Sequence, residues 1–173
     1  MQQILVVSHC ILNTASKVLS YNEAEQREEA GHRKNLLEYV LQNDIQMIQL
    51  PCPELLLYGT KRWGHVKDQF DNPFFRSQCR VMLDPIIQQL REYALNPERF
   101  RLMGIVAIDN SPSCGYHATC RGDWGGEFSG CPDLEQRLGT LSIGSEPGVF
   151  MEELNNLLKE AKLSVPILDL SSF

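Results

Sequence analysis

Three cysteines stand just beyond apolar segments that are far apart in the chain: Val6-Val7-Ser8-His9-Cys10, Gln49-Leu50-Pro51-Cys52-Pro53-Glu54 and Asp109-Asn110-Ser111-Pro112-Ser113-Cys114-Gly115. Thiolates are soft ligands that suit zinc and iron–sulfur clusters. Three of them leave a tetrahedral zinc, or one iron of a 4Fe-4S cluster, with an open coordination position, which separates a catalytic centre from a closed structural one. Groups able to move protons lie beside these cysteines: Ser111 and Ser113 around Pro112, Glu54 two residues past Cys52, and His9 and Asp109. Each also has a structural reading. Glu54 and Asp109 could cap helices or orient loops, His9 could hydrogen-bond within the core, and free cysteines are commonly inert and buried. A competing set inside one loop, Cys114, His117, Cys120 and Cys131, could close around a structural zinc, although its spacings match no standard zinc pattern. Cys79 falls within a helical pattern and reads as a small buried hydrophobe.

The elements that must position these residues follow from hydrophobic periodicity. Residues 3–8, 45–50 and 101–108 are aliphatic runs without alternation, as expected of parallel strands covered on both faces, and 165–170 reads as a last strand. Residues 33–42 carry Leu36, Leu37, Val40 and Leu41 on one helical face, and a helix from Pro147 carries Val149, Phe150, Leu154, Leu157 and Leu158. Asn72-Pro73 starts a further helix; Pro85 makes residues 73–94 either one kinked helix or two. Alternation of strand and helix predicts a single α/β domain over 1–173, doubly wound and Rossmann-like, with about four mainly parallel strands. The first and third strands are expected as neighbours. The carboxyl ends of the three cysteine-bearing strands would then meet on one edge, where open α/β sheets bind ligands.

Three connections are long. Residues 11–32 are polar and without clear period, with at most a solvated helical turn over 22–30; following Cys10, they are placed to act as a flap, or simply form a surface loop. Residues 55–70 hold Tyr58, Arg62, Trp63, His65 and Lys67. Trp63 beside Gly64 could form a flat wall for a planar ligand or anchor its loop. Residues 115–145 are rich in glycine and predict an ordered loop or small hairpins over the same edge.

Sixteen basic against twenty-two acidic side chains give a net charge of −6, which disfavours duplex nucleic acid and leaves a small molecule as the expected partner. No run reaches the length of a membrane span. Met-Gln-Gln leads directly into a strand without a signal-peptide pattern, so a cytoplasmic location is expected. Six cysteines in 173 residues do not suggest a disulfide scaffold.

Ser8-His9-Cys10, Pro51-Cys52-Pro53-Glu54, Ser111-Pro112-Ser113-Cys114-Gly115 and Phe128-Ser129-Gly130 followed by Pro147-Gly148-Val149 together resemble the 2-thiouracil desulfurase family, closest to a compact desulfidase offshoot. The resemblance covers nearly the whole chain. It implies a 4Fe-4S cluster held by Cys10, Cys52 and Cys114, and non-redox removal of sulfur from a small thiolated nucleobase or related thiocarbonyl compound. The open iron would bind and polarise the thiocarbonyl sulfur while water supplies oxygen. Ser111 matches the family's catalytic serine. One departure stands out: the family's catalytic glutamate, four residues before the middle cysteine, is Ile48 here. The alternative is a non-catalytic α/β module that binds a small ligand, with a structural zinc or no metal.

Overall fold

The computed structural model describes residues 1–173. In chain order the elements are β1 (Gln2–Val7), α1 (His9–Leu12), a 3-10 turn (Thr14–Ser16), α2 (Glu23–Gln42), β2 (Gln46–Gln49), α3 (Pro53–Tyr58), α4 (Lys67–Phe70), α5 (Pro73–Ala94), β3 (Phe100–Ala107), β4 (Thr119–Arg121), α6 (Leu134–Leu138), β5 (Ser142–Gly144), α7 (Val149–Glu160), β6 (Ile167–Asp169) and a final 3-10 turn (Leu170–Ser172). The main sheet has the order β2-β1-β3-β6, and all three pairings are parallel. β1 and β3 are neighbours at its centre, as the crossover argument expects. β4 and β5 pair antiparallel in a separate small ribbon.

Side-chain alternation explains why the central strands read as unbroken apolar runs. Val6, Ile105 and Ala107 point into the larger core, shared with Phe75, Cys79, Leu83 and Ile87 of α5 and with Phe150 and Leu154 of α7. Leu5, Val7 and Val106 point the other way, onto Leu36 and Val40 of α2 and Leu170. Both faces are covered, so no polar face interrupts the pattern. No helix is long and apolar enough to cross a membrane.

The structure corrects several expectations. α2 begins at Glu23, so the region expected to be irregular to residue 32 is helical over its second half. Its start is set by Asn22, whose side chain accepts from the Glu25 amide, and by Glu23 and Glu25 in the first turn, where carboxylates complement the helix dipole. This half buries almost nothing, which is why it shows no period. The connection over 55–70 contains the end of α3 and all of α4. Pro53 does stop strand continuation, and it also occupies the first turn of α3. α5 is a single helix that carries Pro85 within it. The last strand is only Ile167–Asp169, followed by the 3-10 turn.

A charge network built around the buried Lys67 and Glu153 ties the periphery together. Lys67, 2 % exposed, contacts Glu146 at 2.7 Å and Glu152 at 2.5 Å. Arg76 joins Asp71, Glu152 and Glu153, Arg80 joins Glu153 and Glu160, and Arg121 joins Glu146 and Asp68. α4, α5, α7 and the β4–β5 ribbon are thereby fixed to one another, with the buried charges paired as burial requires.

Candidate functional site

Cys10, Cys52 and Cys114 all line one cavity of about 710 Å³ at the carboxyl ends of β1, β2 and β3. Each is delivered by a distinct local device. Cys10 sits in α1, directly after the strand, with its backbone held by the turn from Ser8. Cys52 is the N-cap of α3, its Sγ accepting from the Leu55 amide at 3.4 Å. Cys114 lies in a turn docked on the start of α7: the amides of Val149 and Phe150 donate to the carbonyls of Pro112 and Ser113. That docking requires glycine at two points. A Cβ on Gly148 would meet the Ser113 carbonyl oxygen at 2.6 Å, and one on Gly115 would meet the Ala118 carbonyl oxygen at 2.2 Å.

Glu54 and the two serines form one hydrogen-bonded group beside the thiols. Ser113 Oγ donates to Glu54 Oε1 at 2.6 Å, and Ser111 Oγ lies 3.4 Å from the same oxygen and 3.2 Å from Ser113 Oγ. Ser111 Oγ also accepts from the Cys114 amide at 3.0 Å. Arg62 Nε donates to Glu54 Oε2 at 3.2 Å, and its other nitrogens donate to the carbonyls of Gly59 and Ser16. The Arg62 side chain is only 4 % exposed. Glu54 is thus a buried carboxylate with a charge partner on one oxygen and hydroxyls on the other. Ser111 is the less buried end of the group and lines the cavity.

Of the remaining expected residues, His9 and Asp109 also line the cavity. His9 Nδ1 lies 3.1 Å from the Leu50 carbonyl oxygen, while its Nε2 is buried without a partner. Asp109 uses Oδ1 to accept from the amides of Tyr116, His117 and Ala118, which organises the turn after Cys114. Ile48 packs against the larger core and is absent from the cavity wall. Trp63 is 78 % exposed and lines no part of the cavity, so it is neither a ligand wall nor an anchor. Cys79 is fully buried under the sheet. The loop-centred set is split: Cys120 lines the main cavity, whereas Cys131 lies in a separate depression with Arg137 and hydrogen-bonds Asp133.

Electrostatics separates the three expected ligands from the fourth thiol of the cavity. Burial pushes the Cys10 thiol up to about 11, with the Cys52 charge adding to the rise. Burial likewise raises Cys52, and raises Cys114 well above its ordinary range with further contributions from Cys52 and Cys10. These three thiols therefore feel one another. Cys120 is raised by burial and by Asp68, with none of the three as a partner. Burial also holds the His65 imidazole below its ordinary value in the cavity wall, where its ring lies tilted against those of Tyr58 and Phe70.

No three His, Cys, Asp or Glu side chains are gathered into a group that could hold a single metal ion. A 4Fe-4S cluster distributes its thiolate ligands over several irons, so its ligands do not have to converge on one point. Three soft thiols on the wall of one cavity are a donor set of the chemistry that such a group takes.

Sequence reasoning assigned no role to Arg62 or to the wall formed by α2. Arg62 stands eight residues beyond Glu54 in an irregular segment; the only signal is that a carboxylate buried behind Cys-Pro needs a cation. The segment expected as a flap does border the cavity, through Ser16, Lys17, Gln26 and Glu29, but part of that border is a regular helix.

Comparison with known proteins adds a relative. No family model matches the chain, and no solved structure matches it. The chain is similar to the uncharacterized protein MJ0003 of Methanocaldococcus jannaschii, 39% identical over 113 residues, which span 65% of this chain and 67% of that protein. At that identity and coverage, the chain belongs to the same family as MJ0003.

Proposed function

We propose that the protein is an iron–sulfur-dependent, non-redox desulfurase that removes sulfur from a small thiolated nucleobase or related thiocarbonyl compound. The observation that carries this reading is the shared cavity of Cys10, Cys52 and Cys114 with the Glu54–Ser113–Ser111 group beside them. Cys10, Cys52 and Cys114 would hold a 4Fe-4S cluster, which supplies a thiophilic Lewis acid at the iron that has no cysteine ligand.

The chain's own groups account for the proton work. Replacing a carbon–sulfur bond by a carbon–oxygen bond with water leaves carbon at the same oxidation level, so protons move and no external electrons are consumed. Ser111 and Ser113 both line the cavity and contact the buried carboxylate, and Ser111 is the more exposed of the two hydroxyl-bearing residues. Ser111 orients the attacking water and passes the proton inward, to Glu54 directly or through Ser113. Arg62 keeps Glu54 in place and neutralises its charge between turnovers. Glu54 thereby takes the duty for which Ile48, turned into the core, has no group.

Anaerobically reconstituted protein, incubated with thiouracils, thiouridines and simple thioamides, is expected to release sulfide, and Cys52→Ala is expected to lose both iron and activity. Full iron content in Cys52→Ala, or failure of iron-loaded protein on every thiocarbonyl, would overturn the reading.

A further inference from the structure

The polar groups that surround Glu54 are committed to one another. Arg62 donates to Glu54 and to the carbonyls of Gly59 and Ser16. Ser111 and Ser113 turn their hydroxyls toward the same carboxylate. Lys17 pairs with Glu29, and three backbone amides occupy Asp109 Oδ1. His65, on the same cavity wall, differs from all of these. Its Nδ1 is sealed and partnerless, so Nε2 is the only polar atom that the side chain can offer a ligand.

The ring is fixed and uncharged. Its centroid lies 4.9 Å from that of Tyr58 and 4.8 Å from that of Phe70, and Phe70 is buried and stacked on Phe75 at 4.2 Å. An imidazolium carries a hydrogen on both nitrogens, and one on the sealed Nδ1 would have no acceptor, so the ring stays neutral. Burial acts in the same direction by holding the imidazole below its ordinary value, and the charges of Glu54 and Arg62 then act on it in opposite senses. The ring therefore stands within the field of the pair that manages the proton. Orphaned buried N–H groups are rarer than orphaned acceptors, which puts the single hydrogen on Nε2. The side chain is thus a rigid, neutral N–H donor in the cavity wall.

We propose that His65 Nε2–H is a catalytic hydrogen-bond donor, which holds the oxygen entering from water as it becomes the carbonyl oxygen of the product. This rests on the desulfurase reading above and deepens it. As the water oxygen bonds to the thiocarbonyl carbon, its proton passes through Ser111 toward Glu54, and the carbon–sulfur π electrons move to sulfur. The carbon–sulfur bond then breaks with its electron pair on sulfur, and the two water protons leave with it as hydrogen sulfide. His65 gives and takes no proton. An oxygen that has released its proton toward a carboxylate needs a donor on another side. A cationic donor would pair with Glu54, as Arg62 does, whereas a neutral imidazole stays free for the oxygen.

The test is steady-state kinetics of iron-loaded wild type, His65→Phe and His65→Gln on whichever thiouracil, thiouridine or simple thioamide wild type turns over fastest. Phenylalanine keeps an aromatic ring against Tyr58 and Phe70 and removes the N–H; glutamine returns an N–H donor. His65→Phe is expected to keep its iron and its KM and to lose about 10²-fold in kcat, as removal of one oxyanion donor does. The oxygenated product should also inhibit it less strongly, and His65→Gln should recover part of the lost kcat. Unchanged kcat in His65→Phe, a rise in KM alone, or no recovery in His65→Gln overturns the donor role while leaving the desulfurase reading standing. Iron-loaded wild type that turns over none of these compounds overturns the reading and the role together.

Discussion

Glu54 sits at the junction of two demands, and they can be separated by substitution. Its Oε1 receives Ser113 at 2.6 Å and its Oε2 receives Arg62 at 3.2 Å, so Glu54→Gln keeps the shape and removes the base. Turnover is expected to fall by roughly 10²- to 10⁴-fold, the usual range for a general acid–base group. Iron content should stay at the wild-type level, read by metal analysis on the same sample. The variant also leaves Arg62 buried without its carboxylate, which costs about 3 kcal/mol in a denaturant titration of the metal-free protein. A variant that is fully active would return Glu54 to a purely structural part. Cys120→Ala gives the complementary expectation: its thiol shares the cavity but responds to Asp68 and to none of the three cysteines proposed as ligands, so iron uptake should be unchanged. At this scale the cysteines, Glu54 and the serines were legible because each lies within five residues of a strand end or of Cys52 or Cys114. Arg62 was not, because its partner is eight residues away across an irregular segment, where no period reports side-chain direction.

The turn that presents Cys114 depends on contact between elements rather than on any side chain. Gly148, the N-cap of α7, lies so close to the Ser113 carbonyl that a Cβ would approach to 2.6 Å, and the backbone atoms it would meet cannot rotate away. Gly148→Ala is therefore expected to cost about 1–3 kcal/mol, seen as a lower denaturation midpoint, and to reduce iron loading because Cys114 moves with its turn. Equal stability and loading in the variant would show that the turn has slack. The elements divide sharply in how well the sequence announces them. β1 and β3 are unmistakable because both of their faces are buried, while the first half of α2 packs almost nothing and is set by Asn22 and its acidic first turn. α3 and α4 are too short to show a period, and neither of their caps, Cys52 and Val66, is a conventional capping residue, so Pro53 in the first turn of α3 is the clearest start signal of the pair.

Over the whole molecule, two cores on opposite faces of one parallel sheet hold the three strand ends in register, and the cavity lies at their carboxyl edge. Thiols buried in this way make the metal-free protein sensitive to alkali. Burial, with the Glu153 charge adding to it, pushes Cys79 from an ordinary 9.0 up to about 12. The folded state therefore keeps a proton that the unfolded state loses. Its stabilising contribution is complete below pH 9 and is lost progressively as pH rises toward about 12. Urea midpoints of wild type should fall across that window, and those of Cys79→Ala should fall less steeply from a lower starting value; identical slopes would contradict the burial argument. The adjacency of β1 and β3, and the common edge on which the cysteine-bearing strands end, were legible because right-handed crossovers allow few arrangements of four parallel strands. The cavity wall was not, since it is assembled from polar segments without a periodic pattern. The most direct test of the proposed function is to follow sulfide and product together when iron-loaded protein meets a thiocarbonyl compound in 18O-water with no electron donor present. Equal amounts of sulfide and of product carrying one 18O atom are the predicted result; turnover that begins only when a reductant is added would contradict it.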